Sequence, residues 1–435
     1  MKVNKWTLGL AALGLVSLPA GTQAEEKMNQ VWTALSSTTI SGYVDTSAIW
    51  NTGTGNDIVP GYAFNTPQMQ DGFNLDVVKL SIAKPLDESQ WAAGYQVDLL
   101  FGPNATSLGT SIDSGGDSDG FAIQQAYVNL RTPVGNGLDF KVGVYNAPIG
   151  YESFDRTLDP NFSRSYGYTM EPTTMTGVLM SYQFSPLVSA SAGVANSYGP
   201  AINGRSWYGN AAGTQNYDAE GYMTWSGSVA LTAPESWGFL AGSSLYGTII
   251  NGFNANAGGS GVADNQTSYY VGATVNTPIK AVKVGAAYDY AGGHGHGTAN
   301  SAFANAVSGY VSWQISEKLS LHGRGEYATT DTAVFGPQSF KANGNPNINK
   351  IIALTATLQY DLWKNVISRL EVRYDHLAGE SPVGYGGESG DYTVSASGSS
   401  SSGFAAAGTP YGGGNPGGSG SRDSLIFALN IIYKF

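Results

Sequence analysis

The 435-residue sequence predicts an all-β fold, a transmembrane antiparallel β-barrel of about 16 strands with short periplasmic turns and long external loops. Three observations predict it. Apolar residues recur with period two in stretches of about ten residues. The connections between these stretches alternate between short and long. Charge is scarce, at 12% of the chain, where a soluble domain carries about 25%.

The strand candidates have cores near 38–51, 73–84, 90–101, 121–132, 138–146, 176–184, 187–198, 221–232, 238–250, 267–276, 281–291, 304–314, 318–328, 350–361, 366–377 and 424–435. The last shows the pattern most cleanly. In LIFALNIIYKF, Leu425, Phe427, Leu429, Ile431, Tyr433 and Phe435 share one wholly apolar face, while Asn430 and Lys434 fall on the other. LEVRYDH places Leu370, Val372 and Tyr374 opposite Arg369, Glu371, Arg373 and Asp375. KLSLHGRGEY places Leu319, Leu321 and Tyr327 opposite His322, Arg324 and Glu326. QQAYVNLR places Val128 and Leu130 opposite Gln125, Tyr127 and Arg131. Charged groups at mid-membrane cost about 2–4 kcal/mol on a lipid face, so the polar faces are expected to line the lumen. Trp50, Trp91, Trp237, Trp313, Tyr360 and Trp363 lie near strand ends, where interfacial girdles form.

The short connections are PLDES, TPVGNG, FSPL, TAPESW, NTPIKA, ISEK and YDLWKN, several with Pro or Gly at turn positions. The long ones run near 52–72, 102–120, 147–175, 199–220, 251–266, 292–303, 329–349 and 378–423. An even strand number leaves both termini on the short-turn side, where the last strand can pair with the first and remove the sheet edge. The Gly/Ser-rich segment within 378–422 is expected to be a long external loop, since it lacks the apolar residues for a core.

At the N-terminus, Lys2 and Lys5 precede an apolar run from Leu8 to Leu18 and the small-x-small site Thr22-Gln23-Ala24. This is the layout of a secretory signal peptide over 1–24, leaving 25–435 as a single barrel domain. The run is too short to span a bilayer. The chain has no Cys, which excludes disulfides, thiol nucleophiles and thiolate metal sites. Its net charge of −11, or −13 once Lys2 and Lys5 are removed, argues against a nucleic-acid partner.

The third long loop, YNAPIGYESFDRTLDPNFSRSYGYTMEPTTM, is rich in charge and aromatics. Such a texture suits a loop folded into the barrel, where backbone and charge must be satisfied by the wall. The candidate constriction residues are Glu152, Asp155, Arg156, Asp159 and Arg164 on the loop and Lys79, Arg131, Lys141, Arg324, Arg369 and Arg373 on the wall. Opposed charges across a narrow gap would sort solutes by charge. Phe435 is the candidate signal for the barrel-assembly machinery.

SGYVDTSAIWN at 41–51, VGVYNAPIGYE at 142–152 and DPNFSRSYGY at 159–168 resemble the OmpL-like putative beta-barrel porin family, nearly end to end. The resemblance implies a diffusion channel of a Gram-negative-type outer membrane and carries no agreed binding residues. The Gly/Ser-rich last loop is longer than the resemblance leads one to expect.

Catalytic patterns are missing. The four His are His294, His296, His322 and His376, none beside a Ser in a recognisable setting, and Gly-x-Ser-x-Gly is absent. His294 and His296 in GGHGHG are expected to form a polar loop tip, and Asp113, Asp117 and Asp119 a solvated acidic loop without the spacing of an EF-hand. No cofactor, metal or enzymatic activity is expected. Two functions remain. One is a porin passing small hydrophilic solutes or ions, in outer-membrane lipid, with a homotrimer as its candidate assembly. The other is a plugged barrel with a structural or surface-binding role, which dense lumenal ion pairs would favour.

Overall fold

The structure, a computed structural model, describes residues 37–52, 72–108, 120–205, 208–209, 215–216, 222–253, 265–294, 301–330, 349–378 and 423–435. The segment 1–24, most of 378–422, Asp113, Asp117, Asp119 and His296 lie outside them. The barrel strands are β1 (Thr39–Thr52), β2 (Gly72–Lys84), β3 (Ala92–Phe101), β4 (Phe121–Thr132), β5 (Leu138–Asn146), β6 (Thr174–Gln183), β7 (Val188–Ala195) and β8 (Thr224–Thr232). They continue with β9 (Ser244–Phe253), β10 (Asn265–Asn276), β11 (Val282–His294), β12 (Ser301–Gln314), β13 (Leu319–Thr330), β14 (Asn349–Tyr360), β15 (Val366–Leu377) and β16 (Asp423–Lys434). Each pairs antiparallel with its sequence neighbours, and β16 pairs with β1, so the sheet closes with 16 strands. Barrels of this size are wide enough to hold an aqueous channel. Among the described residues no helix is long and apolar enough to cross a membrane.

Period-two patterning decides which side chains face out. On β16, Phe427, Leu429, Ile431 and Tyr433 are exposed on the outer wall, while Ser424, Ile426, Ala428, Asn430 and Ile432 are buried. Leu370 and Tyr374 on β15, and Val307 and Val311 on β12, extend the same outer belt. A continuous apolar exterior of this extent belongs in lipid. The expected girdle residues Trp50, Trp91, Trp237, Trp313, Tyr360 and Trp363 are all exposed.

The strand predicted at 238–250 begins later, at Ser244. Glu235–Leu240 forms a 3₁₀ turn instead, interrupted by Gly238 at φ 63°. Two bulges break the period. Asp76 is an extra residue in the β1–β2 ladder and Gln124 in the β3–β4 ladder. Each bulge sends two successive side chains inward: Asp76 with Val77, and Gln124 with Gln125.

At the seam, Gly42 N–H donates to Phe435 O and Phe435 N–H to Gly42 O, both at 3.0 Å. A Cβ on Gly42 would lie 2.7 Å from the Phe435 ring and against the β2 backbone. Gly42→Leu is therefore expected to impair seam closure. Gel heat-modifiability should show a smaller folded fraction, whereas an unchanged fraction and melting temperature would contradict this packing.

Candidate functional site

The connection between β5 and β6, residues 147–173 (L3), enters the barrel and docks on the opposite wall. Local sequence sets its entry. Thr248 Oγ1 donates to Pro148 O at 2.7 Å, and Tyr246 Oη to Gly150 O at 2.8 Å. Gly150 has φ +105°, and the Glu171 carboxylate occupies the space where a Cβ would stand, so this position of the Ala-Pro-Ile-Gly-Tyr-Glu run requires glycine. Tyr151 stacks on Tyr310 of β12 with centroids 4.0 Å apart.

Beyond this entry, wall and loop exchange charge for main chain. Wall carboxylates accept from L3 amides: Glu371 from Phe162 N at 2.6 Å and Ser163 N at 2.9 Å, Glu326 from Tyr166 N at 2.6 Å. Wall guanidinium groups donate to L3 carbonyls. Arg324 reaches Ser163 O at 2.7 Å and Arg164 O at 3.1 Å, Arg373 reaches Arg164 O at 2.6 Å, and Arg369 reaches Arg156 O at 3.0 Å and Asp159 O at 2.6 Å. A loop inside a lumen lacks ladder partners, and these groups satisfy its backbone.

Ion pairs lie among these contacts. Arg324 bridges Glu152 of L3 at 2.8 Å and Glu326 at 2.7 Å. Arg156 of L3 sits 3.3 Å from both Asp45 of β1 and the bulged Asp76 of β2. Lys79 lies 3.2 Å from Asp98 and 3.6 Å from Asp155 of L3. Arg373 pairs with Asp375 at 2.8 Å, and Asp375 accepts from Tyr166 Oη at 2.7 Å. Within L3, Arg164 holds Asp159 and donates to Ser153 O and Phe154 O. Carboxylates outnumber cations, and backbone amides meet part of the surplus.

Apolar packing seats the same segments. Phe162 is fully buried with Ile49, Ile426 and Ala428. The helical turn Tyr166–Met170 packs Tyr166 and Met170 on Ala291, Ala304, Ala306, Ala328 and Ala353. Those small inward residues make room for it.

The sequence-predicted residues thus separate into two sets. Lys79, Glu152, Asp155, Arg156, Asp159, Arg164, Arg324, Arg369 and Arg373 come together at the loop–wall interface, in direct contact where a water-filled gap was expected. Arg131 and Lys141 do not join it. Arg131 pairs with Asp139 at 2.7 Å beside the short β4–β5 turn. Lys141 lies over the Tyr127 ring at 4.9 Å. Glu326, Glu371 and Asp375, placed on lumenal faces by alternation, join the buried set, and Asp45, Asp76 and Asp289 belong to it without having been singled out. Beneath L3, towards the short turns, a cavity of about 400 Å³ remains, with Tyr151, Tyr246, Tyr310, Lys283, His322 and Arg369 among its walls.

Glu171 closes L3 where it rejoins β6. Burial, then the neighbouring Asp289 carboxyl, holds its pKa well above the usual carboxylate range; Glu152 adds to this and Arg164 opposes it. A free loop would release this proton near pH 4.3. Docking is therefore favoured below that value and weakens as pH rises through and above it. Glu171→Gln, which cannot ionise, should remove that part of the fall. Melting temperatures of both proteins between pH 4 and 8 check this, and parallel curves would contradict it. Arg324→Ala leaves Glu152 and Glu326 buried without their cation, a loss expected to cost about 3–5 kcal/mol. Limited proteolysis should then cleave L3 in the folded variant; wild-type resistance would contradict the clamp.

The family model for putative beta-barrel porin-2, OmpL-like, matches residues 37–409. No curated protein sequence matches the chain. Solved structures resemble it across nearly the whole chain. The outer membrane channel DcaP of Acinetobacter baumannii is 12% identical with a TM-score of 0.56, covering 93% of this chain and 100% of its own. An anion-selective porin from Comamonas acidovorans is 13% identical with a TM-score of 0.55, covering 92% and 99%. OmpF of Salmonella typhi is 12% identical with a TM-score of 0.51, covering 92% and 97%. At these identities the likeness is one of fold. With the closed 16-strand barrel and the family match, the chain belongs to the OmpL-like putative beta-barrel porin-2 family and is a barrel of the bacterial outer membrane.

Proposed function

We propose that the protein is a porin giving passive diffusion of small hydrophilic solutes or ions through a lumen that L3 narrows. The observation carrying this reading is L3 itself, an inward loop clamped to the far wall through Arg324, Arg369 and Arg373. Charges engaged in the clamp are screened from passing solutes. Selectivity then falls to a cation outside it, Lys283, which is exposed and makes no ion pair among the described residues. It favours anions. No catalytic step is proposed; the porin family supports a channel.

The burial of Lys79, Arg324, Arg369 and Arg373 favours a second reading, in which L3 closes the barrel and the external loops carry a surface role. We also propose that 1–24 is a cleaved signal peptide, that 25–435 is one domain, and that Phe435 is the residue read by the assembly machinery. A homotrimer is part of the same proposal.

Planar-bilayer recording of the refolded protein under a salt gradient separates the two readings. The porin reading expects stepwise channels with an anion-selective reversal potential. It also expects a several-fold larger step when residues 153–164 are replaced by a short Gly-Ser link. A heat-modifiable barrel without steps would favour the closed reading. Wild-type steps of unchanged size after the replacement would remove L3 from the constriction.

A further inference from the structure

We propose that the cavity beneath L3 is a binding subsite for a small organic carboxylate with a flat, ring-like body, centred on Arg369. Three inward-facing wall arginines contact L3, and they differ in one respect. Arg324 and Arg373 each hold a carboxylate, Glu326 and Asp375, two residues along their own strands. The residue equivalent in spacing for Arg369 is Glu371, whose oxygens accept from Phe162 N, Ser163 N and Thr357 Oγ1 instead. Among the described residues Arg369 has no ion pair.

Its remaining bonds fix its direction. Nε donates to Gln359 Oε1 at 3.0 Å, and Nη2 to the carbonyls of Arg156 and Asp159. Among the described residues Nη1 has no hydrogen-bond partner, although the residue is only 1% exposed. A buried guanidinium with no carboxylate in ion-pair contact and no partner for one nitrogen, on the lining of a cavity, favours an anionic occupant. One free nitrogen suits one carboxylate oxygen better than a bidentate or doubly charged anion.

The surrounding wall fits the same ligand class. Lys283 contributes a second cation without an ion-pair partner among the described residues. His322 is held at both ring nitrogens, by Ser320 and Ser312, each at 2.9 Å, which fixes its ring plane. The acidic group on the lining is Asp159, already held by Arg164 and the Ser153 amide. The stacked Tyr151–Tyr310 pair and Tyr246 supply flat apolar surface for a ring. A volume of about 400 Å³ accommodates one small molecule.

The proposal rests on the reading above only in that L3 forms the cavity's ceiling. Isothermal titration of the folded, detergent-solubilised protein with benzoate tests it, with benzamide as the uncharged control. Saturable benzoate binding is expected, at least tenfold tighter than benzamide. Lys283→Gln should weaken it several-fold, and Ser244→Phe, which fills the cavity from β9, should abolish it. Arg369→Lys should also abolish it, and because that variant can loosen L3, the other two variants carry the test. Equal and weak binding of both probes, or benzoate binding indifferent to Ser244→Phe, would overturn the subsite. Conductance is read separately. Binding without channels would leave the subsite standing and remove the porin reading; channels without binding would do the reverse.

Discussion

The structure depends on an exchange between the main chain of L3 and the charged side chains of the wall. A polypeptide crossing a lumen has amides and carbonyls with no strand beside them. Here Glu371 and Glu326 take the amides, and Arg324, Arg369 and Arg373 take the carbonyls. The wall is thereby complementary to a backbone as well as to side-chain charge. Each ion has several partners, which offsets the desolvation that makes isolated buried pairs a weak source of stability.

In the proposed porin reading, the same exchange shapes the path available to solutes. Charges held in the clamp are fixed in geometry and shielded. In the porin reading we propose, Lys283 and the cavity beside Arg369 are where an anion is favoured. The apolar half of the interface works alongside. Inward alanines on β11 to β14 leave space for the helical turn of L3, and Phe162 fills the pocket on β1 and β16. An L3 held by both kinds of contact is a structural part of the barrel rather than an appended loop.

Much of this was legible in the sequence, because period two and connection length are direct consequences of a tilted strand crossing lipid. Arg324, Arg369 and Arg373 were found by parity alone, and L3 by its charge and aromatic content. Asp76 was hidden because a bulge shifts parity at that residue, and nothing in single-strand alternation announces a bulge. Asp45 and Asp289 are lone acids in apolar or aromatic surroundings whose partners lie far away in sequence. The sequence reading also placed the arginines opposite loop carboxylates across water. It had no means of foreseeing that three of them would hold carbonyl oxygens. The late start of β9 follows from Gly238 at positive φ, a choice invisible in composition.

L3 is integral to the barrel through its backbone bonds. Hydrogen–deuterium exchange at the amides of Phe162, Ser163, Ser165 and Tyr166 in the folded protein tests it most directly, since all four donate to buried carboxylates. The account predicts protection comparable to strand amides of β13 and β15. Exchange within seconds in an otherwise protected barrel would contradict it.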